Sequence, residues 1–347
     1  MAQDVASAPA PKLASEPGPE PPPRRASARH TYGAIDLGTN NCRLLIARPS
    51  GAGFTVVDAF SRIVRLGEGL SRSGSLSAEA MDRAVSALAV CADKLRRRKV
   101  SLSRSVATEA CRRAANGAEF VERVRRETGI LLDVIDPQEE ARLAVLGCHK
   151  LLEPGDGPAV IFDIGGGSTE LVLVDQVDGI PKIRSWWSAP WGVVSLTESE
   201  GKAALEGPDR LAAYERMRNR ARLAFASFAQ ALPRDDEGIR LLGTSGTVTT
   251  LASVHLALPA YDRRAVDGLH VSVEAMQKIS GMIAGMDHGE RASLPCIGPD
   301  RADLVVAGCA ILEAILEIWP AKTLGVADRG IREGILRSLM ARDGYQL

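Results

Sequence analysis

The sequence predicts an α/β protein of two similar domains that face each other across a cleft. The chain has 347 residues, which is more than one hydrophobic core usually serves. A polar turn between two apolar strands occurs twice, in "AIDLGTNNCRLLIA" from residue 34 and in "AVIFDIGGGSTELVLVD" from residue 159. The elements around the first turn recur around the second, and Asp36 and Asp163 are equivalent points 163 − 36 = 127 residues apart. Domains with equivalent polar turns are expected to hold a ligand between them.

In the first half, the hydrophobic pattern predicts the order strand, strand, strand, helix, strand, helix, strand, helix. The three strands are "YGAIDL", "CRLLIARP" and "FTVVDAFSRIVRLG". A helix begins after the cap residue Ser77, because Glu79 lies near its start and basic residues lie at its end. A strand around Val106, a helix over about 112–127, the strand "ILLDVI" and a helix from about Pro137 complete this half.

The second half predicts the same order from the Gly-rich turn onward. The segment "KIRSWWSAPWGVV" is the third strand, a helix follows at about 207–231, and "IRLLGTS" is the next strand. The helix "TVTTLASVHLA", more helix over 273–286 and 301–319, and "KTLGVADRGIREGILRSLM" follow. The predicted units are a disordered Pro/Ala-rich tail over 1–30, a domain over 31–150, and a domain over 151–347 whose last helix can pack back on the first.

Composition excludes several classes of protein. Lys and Arg number 43, and Asp and Glu also number 43, so no global charge favours a nucleic acid polymer or a membrane surface. The six cysteines form no CxxC pair and the five histidines have no metal-ligand spacing, which argues against zinc and for a reducing compartment. No apolar run is long enough to span a membrane or to act as a secretory signal, so we expect a cytoplasmic protein.

The second polar turn is the stronger sign of a ligand site. Gly165, Gly166 and Gly167 let the backbone adopt positive φ and bring its N–H groups close to an anion, and Ser168 adds a hydroxyl donor. The alternative is a tight hairpin turn, for which one glycine would suffice. Asp163 and Glu170 flank the turn on apolar strands and need a partner for their charge, and in a phosphate site we expect that partner to be Mg²⁺.

Two further segments have the composition of phosphate loops. In "GTSGTVTT" a strand ends and a helix begins, where backbone N–H groups and the helix dipole favour an anion. The first turn, "DLGTNNCR", could be either a plain turn or a phosphate-binding loop opposite the Gly-rich one, and its repeat at residue 163 favours a phosphate-binding loop. The phosphate-binding residues predicted from these two segments are Thr244, Ser245, Gly246 and Thr247, together with Asp36, Gly38, Thr39, Asn40, Asn41 and Arg43.

The segment "VIDPQEEARLAVLG" separates two adjacent glutamates by role. Asp136 suits the helix N-cap and Glu139 lies three residues later, where its side chain can bond back to the cap. Glu140 has no such structural task, and at a helix N-terminus it would stay ionised and could act as a general base. The alternative is a solvated glutamate. In "ATEACRRA", Arg112 and Arg113 follow a strand end and could clamp a phosphoryl group or be simply exposed.

The two hairpins, with "QEEARL", "GTSGT" and "ADRGIREGIL", closely resemble the exopolyphosphatase/guanosine pentaphosphate phosphohydrolase family over about residues 31–340. This family belongs to the actin, hexokinase and heat-shock ATPase superfamily of duplicated ribonuclease-H-like domains. The resemblance implies Mg²⁺-dependent release of the terminal phosphate of inorganic polyphosphate or of guanosine pentaphosphate. It also implies that Glu140 activates water, that Arg112 takes part in catalysis, and that Asp163 and Glu170 are the acidic residues of the second phosphate motif.

Within this resemblance some choices stay open. The family usually has a serine where this chain has Asn41, so one hydroxyl contact is missing, and the chain looks like the short form of the family. Arg263, Arg264 and Arg301 are candidate contacts for distal phosphates, and a homodimer is an expectation from such families. The alternatives are a small-molecule kinase of the same superfamily and a non-catalytic sensor of guanosine tetra- or pentaphosphate or polyphosphate. No GxxxxGK[ST] segment supports a P-loop enzyme.

Overall fold

Two mixed β-sheets flanked by helices organise the chain. The computed structural model describes residues 30–153, 155, 158–177, 180–230 and 239–345. The predicted disordered tail over 1–30 therefore lies, apart from its last residue, outside the described residues. The strands are β1 (Tyr32–Leu37), β2 (Asn41–Ser50), β3 (Gly53–Ile63), β4 (Leu102–Ala107), β5 (Leu132–Val134), β6 (Ala159–Ile164), β7 (Thr169–Val177), β8 (Ile180–Ala189), β9 (Arg240–Thr244), β10 (His270–Ser272) and β11 (Thr323–Ala327).

Helices connect the strands and cover the sheets. They are α1 (Leu70–Ser73), α2 (Ala78–Arg97), α3 (Glu109–Arg113), α4 (Gly117–Thr128), α5 (Pro137–Cys148), α6 (Val193–Glu200), α7 (Lys202–Glu206), α8 (Arg210–Gln230), α9 (Gly246–His255), α10 (Arg263–Val266), α11 (Val273–Gly285), α12 (His288–Ser293), α13 (Val305–Ile318) and α14 (Ile331–Arg342). In the described part of the chain, none of them combines the length and the apolar character that crossing a bilayer demands.

The two sheets share one topology. The first has the order β3-β2-β1-β4-β5 and the second the order β10-β11-β9-β6-β7-β8. In each sheet a central strand pairs antiparallel with the following strand, which places Asp36 opposite Arg43 and Asp163 opposite Glu170. The same central strand pairs in parallel with a later one, β4 or β9. The predicted fold class, two α/β domains of duplicated ribonuclease-H-like order, is confirmed; β10 is an additional edge strand.

The predicted helix over 112–127 is wrong, since two helices occupy this segment. α3 ends at Arg113, and α4 begins at Gly117. A Cβ at Gly117 would lie 2.1 Å from the carbonyl oxygen of Cys111, so only glycine lets the chain turn back so closely. Asn116 fixes the turn by bonding both the backbone N–H and the carbonyl of Leu76. The start of α3 lies beside the first polar loop, where Glu109 accepts a hydrogen bond from Thr39.

The last helix of the chain packs on the first sheet. Ile335, Leu339 and Met340 of α14 share a hydrophobic cluster with Tyr32 of β1 and Leu143 of α5. The two helix backbones touch: a Cβ at Gly334 would lie 2.0 Å from the carbonyl oxygen of Leu143. This contact brings the loop before α14 to the space between the sheets. The domain boundaries at 31–150 and 151–347 stay predictions.

Candidate active site

A cleft of about 990 Å³ lies between the two sheets. The loops after β1 and β6 border it from opposite sides, and the start of α9 borders it at one end. It brings together almost every residue predicted from the sequence. These are Asp36, Gly38, Thr39, Asn40, Asn41, Arg43, Glu140, Asp163, Gly165, Gly166, Gly167, Ser168, Glu170, Ser245, Gly246 and Thr247.

The three glycines of the second loop are required by close approach. None of them has a positive φ, so the expectation of left-handed backbone there is wrong. A Cβ at Gly166 would lie 2.8 Å from the Cβ of Thr39, on the first loop. A Cβ at Gly167 would lie 1.9 Å from a carboxylate oxygen of Glu109. The two loops therefore touch, and side chains at these positions would force them apart.

The hydroxyl groups predicted to donate to phosphate are mostly engaged within the protein. Thr39 Oγ1 donates to Glu109 Oε2 at 3.1 Å, and Ser168 Oγ donates to Glu170 Oε1 at 2.7 Å. Thr244 Oγ1 donates to the carbonyl of Arg329 at 2.6 Å and lines a smaller neighbouring cavity instead of the main cleft. A hydroxyl has one hydrogen, so none of the three can donate to a phosphate in this arrangement.

The helix start after β9 keeps a free donor. Ser245 caps α9 by accepting a hydrogen bond from the Val248 N–H at 3.1 Å, which leaves the hydroxyl hydrogen available. Thr247 Oγ1 packs closely against Gly308 of α13, where an added Cβ would lie 2.4 Å from it. Backbone N–H groups and the Ser245 hydroxyl are thus the donors that this end of the cleft offers to an anion.

Glu140 is buried in the cleft, which rules out a solvated glutamate. Its carboxylate pairs with Arg112, at 3.1 Å from Nη1 to Oε2. Burial raises the pKa of Glu140 well above its usual range, and the charge of Glu170 raises it further, while Arg112 opposes both. The expectation that the helix N-terminus would keep Glu140 ionised left out this burial.

The prediction for Glu139 is half right. Its backbone N–H donates to the Asp136 cap at 2.8 Å. Its carboxylate does not return to the cap, because it pairs with Arg104 and Arg142, each at 2.6 Å. Glu139 is therefore held outside the cleft by two arginines, while its neighbour points in.

Burial raises the pKa values of the acidic residues Asp163 and Glu170 of the cleft. Burial and the charge of Glu170 raise the pKa of Asp163 to about 8, against a smaller opposing effect of Arg43. Burial also raises the pKa of Glu170, although the Ser168 and Ser188 hydroxyls bond its Oε1. Within the described ranges, no three metal-ligating side chains come together. Any cation here would take at most two protein ligands, and the rest from water and phosphate.

Two of the predicted arginines line the cleft, and Arg112 lies beside it. Arg43 and Arg301 line the cleft, and Arg301 also donates to Thr250 at 3.1 Å. Arg112 is not among the lining residues, and one of its guanidinium nitrogens donates to both Glu140 and the carbonyl of Ile135. The structure therefore places Arg112 beside Glu140, and its role in catalysis stays a prediction.

Two of the three arginines proposed as distal phosphate contacts lie elsewhere. Arg263 pairs with Asp328 at 2.9 Å and with Glu333 at 2.8 Å, which engages its guanidinium. Arg264 is exposed and does not border the cleft. Arg301 alone among the three lines it.

The sequence reasoning missed Glu109, which is 5% exposed and lines the cleft. It lies in the same "ATEACRRA" segment as the two arginines, and Arg113 pairs with it at 2.7 Å. Thr108 and Thr250 also line the cleft. A glutamate two residues after the apolar end of β4 was the available signal, since a charge there is seldom left without a partner.

Comparison with known proteins gives consistent matches over nearly the whole chain. The model of the Ppx/GppA phosphatase family matches residues 45–343. Exopolyphosphatase 2 of Mycobacterium tuberculosis is 32% identical over 320 residues, covering 88% of this chain and 97% of that protein. A putative exopolyphosphatase of Haemophilus influenzae is 28% identical and covers 92% of this chain and 94% of its own. The crystal structure of the Aquifex aeolicus Ppx/GppA family member matches with a TM-score of 0.73 and 30% identity, over 91% of this chain and 99% of that one.

Proposed function

This chain belongs to the Ppx/GppA phosphatase family and is a phosphatase, and from that premise we propose that it releases the terminal phosphate of inorganic polyphosphate. The relatives named exopolyphosphatases support this substrate. One observation carries the proposal: Glu140, a buried glutamate whose pKa is raised, lines the same cleft as the two polar loops that follow β1 and β6. That combination suits attack of water on a phosphoryl group.

Glu140 is the proposed general base. A carboxylate whose pKa is raised is a stronger base than an ordinary glutamate. It takes a proton from water as the water oxygen attacks the terminal phosphorus in line. The anhydride bond on the other side of phosphorus breaks, and its electron pair leaves with the shortened polyphosphate. Arg112 holds the carboxylate in place and limits the rise of its pKa.

Donors of the second loop and of the α9 start stabilise the transferring group. Gly166, Gly167 and Gly246 line the cleft and offer it backbone N–H groups, whereas the Gly165 N–H donates to the Ser168 carbonyl at 3.0 Å. Arg43 and Arg301 supply positive charge for the phosphoryl oxygens. Their fixed positions require little reorganisation as charge develops.

Mg²⁺ is the cofactor that we propose, held by Asp163 and Glu170. These two lie opposite each other in the β6/β7 register, and burial is the main cause of their raised pKa values, to which the charge of Glu170 adds at Asp163. One or two carboxylates with waters and phosphate oxygens are the usual magnesium ligands. When bound, the ion would neutralise charge on the phosphate oxygens. Added Mg²⁺ should raise the melting temperature of the wild type and not that of Asp163→Asn.

The test is phosphate release from polyphosphate of several lengths, with and without Mg²⁺. Glu140→Gln should lower kcat by at least about 10²-fold while binding persists. Glu139→Gln is the matched control, because it changes the neighbouring glutamate outside the cleft. Wild-type rates in Glu140→Gln would refute the assignment. ATP-dependent product formation without polyphosphate hydrolysis would favour the kinase, and tight binding without release would favour the sensor.

A second substrate, guanosine pentaphosphate, is favoured by an adjoining cavity of about 890 Å³. It meets the main cleft at Asn40 and is lined by Arg65, Arg72 and Asp303 among others. Among the described residues, Asn40 Oδ1 and Asp303 Oδ1 are buried acceptors without a hydrogen-bond partner. A guanine base and a ribose offer N–H and O–H donors to such atoms, whereas ionised polyphosphate offers none.

Asp303→Asn tests this second substrate. The substitution replaces one acceptor oxygen of the adjoining cavity by an amide donor. The ratio of kcat/KM for guanosine pentaphosphate to that for polyphosphate should fall on the order of 10-fold, as expected for loss of a hydrogen bond to a charged group. An unchanged ratio would remove the argument for a nucleoside in this cavity.

A further inference from the structure

Glu109 is a buried carboxylate that the mechanism above leaves without a role. Its Oε2 accepts the Thr39 hydroxyl at 3.1 Å, on the first loop. The same oxygen is so close to the second loop that a Cβ at Gly167 would lie 1.9 Å from it. Arg113 holds the other oxygen at 2.7 Å. One carboxylate of α3 therefore contacts both loops of the cleft at their point of closest approach.

The direction of the hydrogen bond between Thr39 and Glu109 limits what Thr39 can do. A carboxylate paired with a guanidinium accepts hydrogen bonds and donates none. The single hydroxyl hydrogen of Thr39 therefore points at Glu109, and its oxygen lone pairs remain for the cleft that Thr39 lines. Phosphate oxygens are acceptors too and gain nothing from such a group. Water is the reactant that can donate a hydrogen bond to it.

We propose that Glu109 is a positioning residue that orients the Thr39 hydroxyl as the second acceptor for the attacking water. This inference rests on the proposed function. One water hydrogen is accepted by Glu140, which takes it as the proton, and the other by Thr39 Oγ1. The water lone pair is then directed at phosphorus, the new P–O bond forms, and the anhydride bond breaks with its electron pair on the leaving chain. Holding both hydrogens fixes the approach of the nucleophile.

Glu109→Gln tests the direction of this hydrogen bond. Arg113 attracts the amide oxygen, so the amide NH₂ turns towards Thr39 and donates to it. The Thr39 hydrogen then points into the cleft, and the water loses an acceptor. We expect kcat to fall on the order of 10²-fold with KM nearly unchanged. The matched control is Glu122→Gln, which breaks an exposed ion pair with Arg125 on the next helix and should have wild-type kinetics.

Substitutions of Thr39 separate positioning from a structural effect. Thr39→Ser keeps the hydroxyl and should retain most activity, whereas Thr39→Val keeps the shape and should lose as much kcat as Glu109→Gln. The double variant Glu109→Gln/Thr39→Val should be no slower than the slower single variant, which is the coupling expected of groups acting through one another. A purely structural role would instead give additive losses of kcat and a lower melting temperature.

The outcomes decide the proposal. Additive losses, a raised KM at unchanged kcat, or a wild-type rate in Glu109→Gln would overturn it. If Glu109→Gln does not fold, equal rates of Thr39→Ser and Thr39→Val overturn it, and an active serine with a slow valine variant sustains it. Failure of the proposed function is distinct: the wild type would then release no phosphate, or Glu140→Gln would match it.

Discussion

Replacing Arg112 by glutamine should move the acidic limb of the pH profile without changing the plateau. The guanidinium lies 3.1 Å from the Glu140 carboxylate and lowers its pKa against burial and the charge of Glu170. Glu140 acts as a base only when deprotonated. Removing the cation raises its pKa, so the variant requires a higher pH to reach the active form. Above both pKa values the two enzymes should have similar kcat/KM.

The size of the shift follows from Coulomb's law. Opposite unit charges about 4 Å apart attract by about 4 kcal/mol at an effective dielectric constant of about 20, and one pKa unit corresponds to about 1.36 kcal/mol. This sets an upper limit of about three units. The Arg112 side chain is 23% exposed, so water screens part of the attraction and one to about three units is the expected range.

The assay is the initial rate of phosphate release from polyphosphate across the pH range at saturating Mg²⁺. Arg126→Gln on α4 is the control, because this exposed arginine pairs with Glu127 and not with Glu140. Below the acidic limb, kcat/KM of Arg112→Gln should be lower by about 10- to 10³-fold. If the acidic limb of the pH profile does not move and kcat/KM is lower at every pH, the reasoning is refuted and a direct contact of Arg112 with the phosphoryl group is favoured.

Two further predictions concern stability. Because burial raises the pKa of Asp163 to about 8 from its usual 3.8, the folded state binds this proton more tightly than the unfolded state, and stability is lost as pH rises through this window. Metal-free Asp163→Asn should therefore melt higher than wild type at pH 8 and less so at pH 5, while losing hydrolysis; equal gains at both pH values would contradict this. Gly334→Ala should lower the melting temperature through overpacking of at least about 1–3 kcal/mol, because the new methyl meets the Leu143 carbonyl, whereas Gly281→Ala has open space. Calorimetry checks both, and equal melting of the two glycine variants would refute the second.

Local pattern was sufficient for the elements that form the cleft. The strands that contain Asp36 and Asp163 are near-continuous apolar runs followed by polar turns, and such runs predict buried strands without knowledge of their neighbours. The Asp136 cap likewise depends on residues a few positions apart. The place of Glu140 in the cleft was therefore predictable, because the neighbouring Glu139 was assigned to the helix cap.

Features set by distant partners were not predictable. The hydrogens of Thr39 and Thr244 are directed by Glu109 and by the Arg329 carbonyl, which are 70 and 85 residues away. The strand β10 has three residues and exists through its pairing with β11. The pairing of Arg112 with Glu140 on α5 joins residues that lie 28 positions apart in the sequence. In each case the sequence shows which side chain or segment is present, and tertiary contacts determine its hydrogen-bond partner.

The docking of α14 on β1 and α5 has a consequence for synthesis on the ribosome. The first sheet is made early, yet part of its apolar surface is covered only by the last helix of the chain. At typical rates of translation, the 182 residues between Cys148 and Ile331 delay that covering helix by roughly 10 to 40 s. During this interval the first half of the nascent chain exposes Tyr32 and Leu143 to solvent and to other proteins. We expect premature termination just before residue 331 to yield an aggregating product, although every phosphate-loop residue would already be present.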